Sequence, residues 1–200
     1  MKQRMKSSLA LSAAVVGVVG LVLAPSAYAA NTTTVTARIG KTISVATTTG
    51  SVLLTITPTG SGSATTASDT VTVTTNSSAG YTLKIASSTA NLVNGANNLV
   101  PTAGTIAAPA ALDNNAWGFR FDDATAGTGF GTGPTSAQTD VAAPTSTKWA
   151  AVPTAATTIK TTAVAATGGD ATNVFFGAKA DTTKPSGDYV ATVTFTGTAN

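Results

Sequence analysis

The sequence predicts an all-β fold, a Greek-key β-sandwich of roughly seven to nine strands, and three observations predict it. From residue 30 onward threonine occupies 41 positions, while glutamate is absent from the whole chain. Threonine and valine branch at Cβ and favour the pleated backbone, and the straight-chain residues that fill exposed helix faces are scarce. Apolar residues recur at every second position in short runs, which puts them on one face of a strand. Glycine, proline and asparagine interrupt these runs at intervals of about 8 to 12 residues, as turns between strands require. A threonine-rich disordered stalk would have no use for the alternation. A closed barrel is the competing geometry, whereas short, unevenly spaced runs without aromatic girdles disfavour an outer-membrane barrel.

Along the chain, Val35, Ala37 and Ile39 alternate with polar neighbours, and Ile43 and Val45 continue the pattern. Val52, Leu54 and Ile56 form a third run that stops at Pro58, which cannot donate to a ladder. Residues 61–68 read as a flexible loop. Val71 and Val73, the turn signal from Asn76 to Gly80, and Tyr81, Leu83 and Ile85 together predict a hairpin over 70–86. Trp117, Phe119 and Phe121, alternating with Gly118 and Arg120, form the heaviest candidate core stripe. Over 122–172 the pattern loosens into long loops, one crowded by Gly127, Gly129, Gly131 and Gly133, with short strands near Trp149 and Ile159. Val174 and Phe176, then Tyr189, Ala191, Val193 and Phe195, predict two closing strands joined through Pro185 and Gly187. Long connections suit a Greek key better than a tight meander.

Residues 1–29 read as a cleavable signal peptide. Lys2, Arg4 and Lys6 precede an uncharged stretch from Leu9 to Ala24, followed by Pro25 and by Ala27 and Ala29 in the small-residue positions of a cleavage site. The apolar stretch, at about 16 residues, falls short of the roughly 20 that a spanning helix needs, and Pro25 breaks a helix where a peptidase needs extended chain. Cleavage after Ala29 leaves a single domain over 30–200 with no further membrane span. The formal charge of +3 resides in those first three cations, so the remainder is neutral and offers no basic face for nucleic acid or an anionic membrane. A chain of about 170 residues buries enough surface to fold without disulfides. The absence of cysteine removes a lipid anchor and leans towards a bacterial protein. The expected location is extracytoplasmic, secreted or at the cell surface.

Three stretches carry a resemblance: SSAGYTLKI, NAWGFRFDD, and the C-terminal NVFFGAKADTTKPSGDYVATVTFTGTAN. Together they are similar to bacterial secreted surface proteins with immunoglobulin-like sandwiches. The order Pro185, Ser186, Gly187, Asp188, Tyr189 and then an alternating terminal strand resembles the end of spore-coat-U and fimbrial pilin domains. The resemblance spans residues 76–200 and implies an immunoglobulin-like fold and donor-strand assembly. The chain departs from the pilin pattern in lacking a cysteine pair, and it carries no Leu-Pro-x-Thr-Gly sorting motif.

The chemistry available is narrow. Without His, Cys or Glu, the usual general bases, thiol nucleophiles and transition-metal ligands are missing together, so no enzyme and no cofactor are expected. Asp122 and Asp123 are the only adjacent carboxylates, and strand neighbours point to opposite faces rather than converging on a bond. Asp122, Asp123 and Asp140 flank the glycine-rich loop and are the candidate Ca²⁺ ligands, although Asp and Gly are also ordinary turn residues. The glycine run opens no helix and so makes no phosphate site. Trp117 belongs with the core by its phase, whereas Trp149, beside Lys148, is the candidate ligand-binding residue for a glycan, or else a lid over the core. Lys41 and Asn173 are candidate partners for an intramolecular amide bond. The expected function is a structural or adhesive subunit that joins copies of itself, or other envelope proteins, through edge strands, with Val190–Thr198 as the candidate edge. The alternative is a non-catalytic carbohydrate-binding module.

Overall fold

The computed structural model describes residues 31–121, 129–131, 133, 136–142 and 147–200. The candidate cleavage residues Ala27 and Ala29 and the candidate ligands Asp122 and Asp123 lie outside them. The chain divides after Arg38, and Ile39–Asn200 forms one compact unit. Among the described residues there is no helix, and the regular structure is ten strands. They are β1 (Ile43–Thr47), β2 (Ser63–Thr75), β3 (Tyr81–Ser87), β4 (Leu92–Asn94), β5 (Asn97–Pro101), β6 (Ala116–Phe121), β7 (Gln138–Val141), β8 (Thr157–Thr161), β9 (Ala166–Ala180) and β10 (Val193–Ala199).

The larger sheet has the order β1-β2-β9-β6-β5-β4, with β7 also pairing with β2, and the smaller has β10-β3-β8. Its backbone is the long antiparallel pair of β2 and β9, which runs from Ser63 opposite Ala180 to Thr75 opposite Ala166. β-branched threonine and valine alternate along β2, so Val71 and Val73 are fully buried while Thr72 and Thr74 are not. Val71, Val73, Leu83, Ile85, Phe119 and Val174 come from both sheets and share one core. Phe119 stacks on Phe121 at 6.1 Å, and Phe130 meets Phe121 edge-on at 5.2 Å. The architecture is therefore all-β and sandwich-like.

Four expectations change. Residues 70–86 are not a hairpin: β2 and β3 lie in different sheets, because the turn ending at Gly80, with φ 79°, carries the chain across the core. Residues 61–68 are not a loop from Ser63 onward: they pair with β9, and the small side chains of Ser63, Ala64, Thr65 and Thr66 are buried on both faces. The run Val35–Ile39 joins no strand, and Val35 and Ile39 are each 87% exposed. β6 is buried along its whole length rather than on alternate positions, because loops cover its outer face.

That outer cover comes from two loop segments. Phe119 exchanges main-chain hydrogen bonds with Ala150 at 2.8 and 2.9 Å, and Ala110 does so with Trp149 at 3.0 and 2.6 Å. Trp149, Ala64, Leu112 and Phe175 form a second apolar cluster, apart from the main core. Gly118 and Gly177 make the close approach possible. A Cβ on Gly118 would sit 2.7 Å from the Ala150 carbonyl oxygen, and one on Gly177 would sit 2.7 Å from the Trp149 ring.

Candidate functional site

The sheets are joined along one side and open along the other. On the joined side, Val190 exchanges two 3.0 Å main-chain bonds with Val93, and the Ser88 amide donates to the Thr192 carbonyl at 2.8 Å, so β3 and β4 together line one edge of 189–199. Alternate residues of a strand present their main-chain groups to the same edge, so those of Ala191, Val193 and Phe195 face the other way. β10 is accordingly an edge strand, paired with β3 alone among the described residues.

The facing rim is built by the chain that follows β1. Thr48 still bonds to the Thr70 carbonyl, and then the chain leaves β2. The Asp69 carboxylate, 6% exposed, accepts the amides of Thr48 and Thr49 at 3.0 Å and of Gly50 at 3.3 Å, and Gly50 turns with φ 65°. Beyond the turn, Val52, Leu54 and Ile56 are half-buried against the core while the residues between them are exposed. This alternation is that of a strand, yet no main-chain group from Ser51 to Thr57 bonds to another main-chain group among the described residues. Side chains hold the segment instead: Thr65 Oγ1 donates to the Thr55 carbonyl at 2.8 Å, and the Thr57 amide donates to Asp140 at 2.6 Å.

Between these rims lies a groove of about 750 Å³. Val52, Leu54 and Ile56 stand on one side and Tyr189, Ala191 and Val193 on the other, over a floor of Leu92, Leu99, Trp117 and Phe176. The Trp117 indole N–H is satisfied by the Ala90 carbonyl at 2.9 Å, so the floor is apolar. Near the start of β1 the seam is shut, because Ile43 and Val45 press on Gly197, where a Cβ would lie 2.6 Å from Val45. From Thr47 onward it is open. Gly187, which a Cβ would drive to 2.3 Å from Asn94, and the bond from the Tyr189 hydroxyl to the Pro185 carbonyl at 2.9 Å shape the mouth. We call this opening the seam.

The sequence-predicted site residues do not meet in it. Trp149 is 1% exposed and lies under the loops on the far face of the larger sheet, so it presents no ring to a sugar. Asp140 is exposed, with φ 51°, and its carboxylate is engaged by Thr57. Hydrogen bonding to Thr57 holds that carboxyl below its ordinary value against a slight opposing effect of burial. Among the described residues no three of His, Cys, Asp or Glu gather in a metal-binding group. Lys41 donates to the Asn200 main-chain oxygen at 2.6 Å while Asn173 accepts from Thr70 at 2.7 Å, so the two have different partners and form no amide pair. One polar cluster among the described residues is Tyr81, Lys160 and Asp170: the Asp170 carboxylate accepts from Tyr81 at 2.7 Å and from Lys160 at 2.8 Å. Burial alone would raise the Asp170 carboxyl, but the bonds from Lys160 and Tyr81 and the charge of Lys160 bring it below its ordinary value. These three residues link the two sheets, since Tyr81 lies on β3, Lys160 on β8 and Asp170 on β9.

Compared with protein-family models, with curated proteins and with solved structures, the chain matches none. The geometry itself therefore carries the functional argument. Among the described residues no helix is long and apolar enough to cross a membrane.

Proposed function

We propose that this is a non-catalytic structural subunit, secreted or held at a bacterial cell surface, that associates with copies of itself by β-strand addition. In this reading residues 1–29 are removed after Ala29 and the mature domain is an immunoglobulin-like sandwich. The observation that supports it is the free edge of β10, which continues into residues 189–192 beside an apolar groove. An edge strand presents a row of unpaired donors and acceptors that another chain can complete, and soluble proteins ordinarily cover or charge such an edge. Val193 and Phe195 are half-buried, and their exposed neighbours Thr194 and Thr196 carry no charge that would repel an incoming strand.

Light scattering on the exported protein, after size-exclusion chromatography at two concentrations tenfold apart, tests this. A mass that rises with concentration, with oligomers or filaments in negative stain, is the expected result. A monomeric mass at both concentrations would contradict it.

A further inference from the structure

We propose that the groove beneath the seam binds one free fatty acid, with its alkyl chain along the apolar floor and its carboxylate at Lys184. The proposal goes beyond the subunit reading and does not depend on it, since the site lies within one chain.

Shape, lining and charge carry it. The groove measures about 750 Å³, within the roughly 300–1,000 Å³ of small-molecule sites. Its rim from Ser51 to Thr57 runs about 23 Å at roughly 3.3 Å per residue. That volume over that length gives a mean cross-section of about 30 Å², a long and narrow space that suits one extended chain. An acyl chain spans half of a hydrocarbon core about 30 Å thick, or about 15 Å, and so lies within the length of the rim. The walls are hydrocarbon: Val52, Leu54, Ile56, Val193 and Phe195 face the core but are only half-buried. An alkyl chain laid against them takes apolar surface out of water on both partners. The floor suits a sugar less well. Trp117 is 2% exposed and its N–H is already bonded to the Ala90 carbonyl, so it offers neither a ring face nor a donor.

The two ends of the groove differ. One is shut, where Ile43 and Val45 press on Gly197. At the other, the bridge between Thr59 and Asp181 sets the end of the rim beside the 181–185 turn. Lys184 stands on that turn, the one cation among the described residues that line the groove. Its ammonium donates to the Asn98 carbonyl at 2.7 Å, and an ammonium has three N–H bonds to give. The carboxylates nearby compete little for the rest. Asp69 holds three amides at the Thr48–Gly50 corner, and Asp181 accepts from the amide and the hydroxyl of Thr183. Asp188 is exposed, where its charge acts through water. The carboxylate of the fatty acid therefore sits at the Lys184 end and its methyl group at the shut end.

Calorimetric titration of the exported protein with laurate, below its micelle concentration, tests this. Saturable binding of one laurate per chain is expected, and affinity should rise about two- to fourfold per methylene from decanoate to laurate, the increment for a buried CH₂. Leu54→Asp, which sets a carboxylate in the rim, is expected to weaken laurate at least tenfold. Lys184→Gln is expected to weaken laurate about tenfold and to leave dodecanol, which has no charged head, unchanged. Circular dichroism checks that each variant folds; if Leu54→Asp does not, Ala191→Phe, which fills the groove instead of charging it, replaces it with the same expectation. Laurate that binds the parent and the rim variant alike would overturn the groove as the site. Laurate binding unchanged by Lys184→Gln would overturn the placing of the carboxylate. A parent protein that binds neither laurate nor dodecanol saturably would overturn the proposal as a whole. Light scattering on the same samples separates this proposal from the subunit reading. Protein that stays monomeric and binds laurate contradicts the subunit reading alone, whereas protein that associates and binds no laurate contradicts the fatty-acid site alone.

Discussion

Replacing Trp149 with alanine is expected to lower the folding free energy by about 3–5 kcal/mol, the range for truncating a fully buried aromatic side chain. The indole is 1% exposed, shares a cluster with Ala64, Leu112 and Phe175, and covers Gly177, where the missing side chain leaves the strand flat enough to receive it. Single domains are stable by about 5–15 kcal/mol in all, so the loss is a large share of the total. Urea unfolding followed by circular dichroism measures it. A cost below about 1 kcal/mol would mean that the ring is not packed, because only loosely seated side chains are removed so cheaply. The same geometry changes how a glycan-binding test must be read: any loss of binding in Trp149→Ala would accompany a loss of fold, so the substitution cannot by itself diagnose a sugar site.

The second large effect is expected at Asp69. Its carboxylate gathers three consecutive amides, those of Thr48, Thr49 and Gly50, at the corner where the chain leaves β2 for the 51–57 rim. Removing a charged acceptor of this kind costs about 1.5–3 kcal/mol, since hydrogen bonds to an ionised group exceed those between neutral groups. Asp69→Ala should therefore destabilise the domain by about that amount in urea unfolding. It should also weaken assembly more than its stability cost explains, because the corner sets the position of Val52, Leu54 and Ile56. Unchanged assembly in a protein destabilised as expected would mean that the rim does not take part.

Much of the fold was legible from the period-two pattern. Trp117, Phe119 and Phe121 form the core stripe that their alternation predicts, Val174 and Phe176 lie in β9, and of the last run Val193 and Phe195 lie in β10, which starts after Tyr189 and Ala191. Alternation reports which face a residue shows, but not which strand lies beside it. That is why the alternation of Val71 and Ile85 fits one hairpin although the chain crosses between sheets at Gly80. It is also why Val52, Leu54 and Ile56 could be read as a face but not as an unpaired rim. Trp149 was open between groove and lid because its sequence neighbours are small and carry no period, while its true neighbours, Phe175 and Ala64, are distant in sequence.

Amide hydrogen exchange across residues 51–57, followed from dilute to concentrated exported protein, tests strand addition at the seam most directly. Exchange at an amide slows when its N–H enters a ladder, and these amides have no main-chain partner among the described residues. Protection that appears at Val52–Ile56 and at Ala191, Val193 and Phe195 together, and rises with the associated fraction, is the result this account predicts. Association that leaves both stretches exchanging as fast as they do in the dilute protein would contradict it.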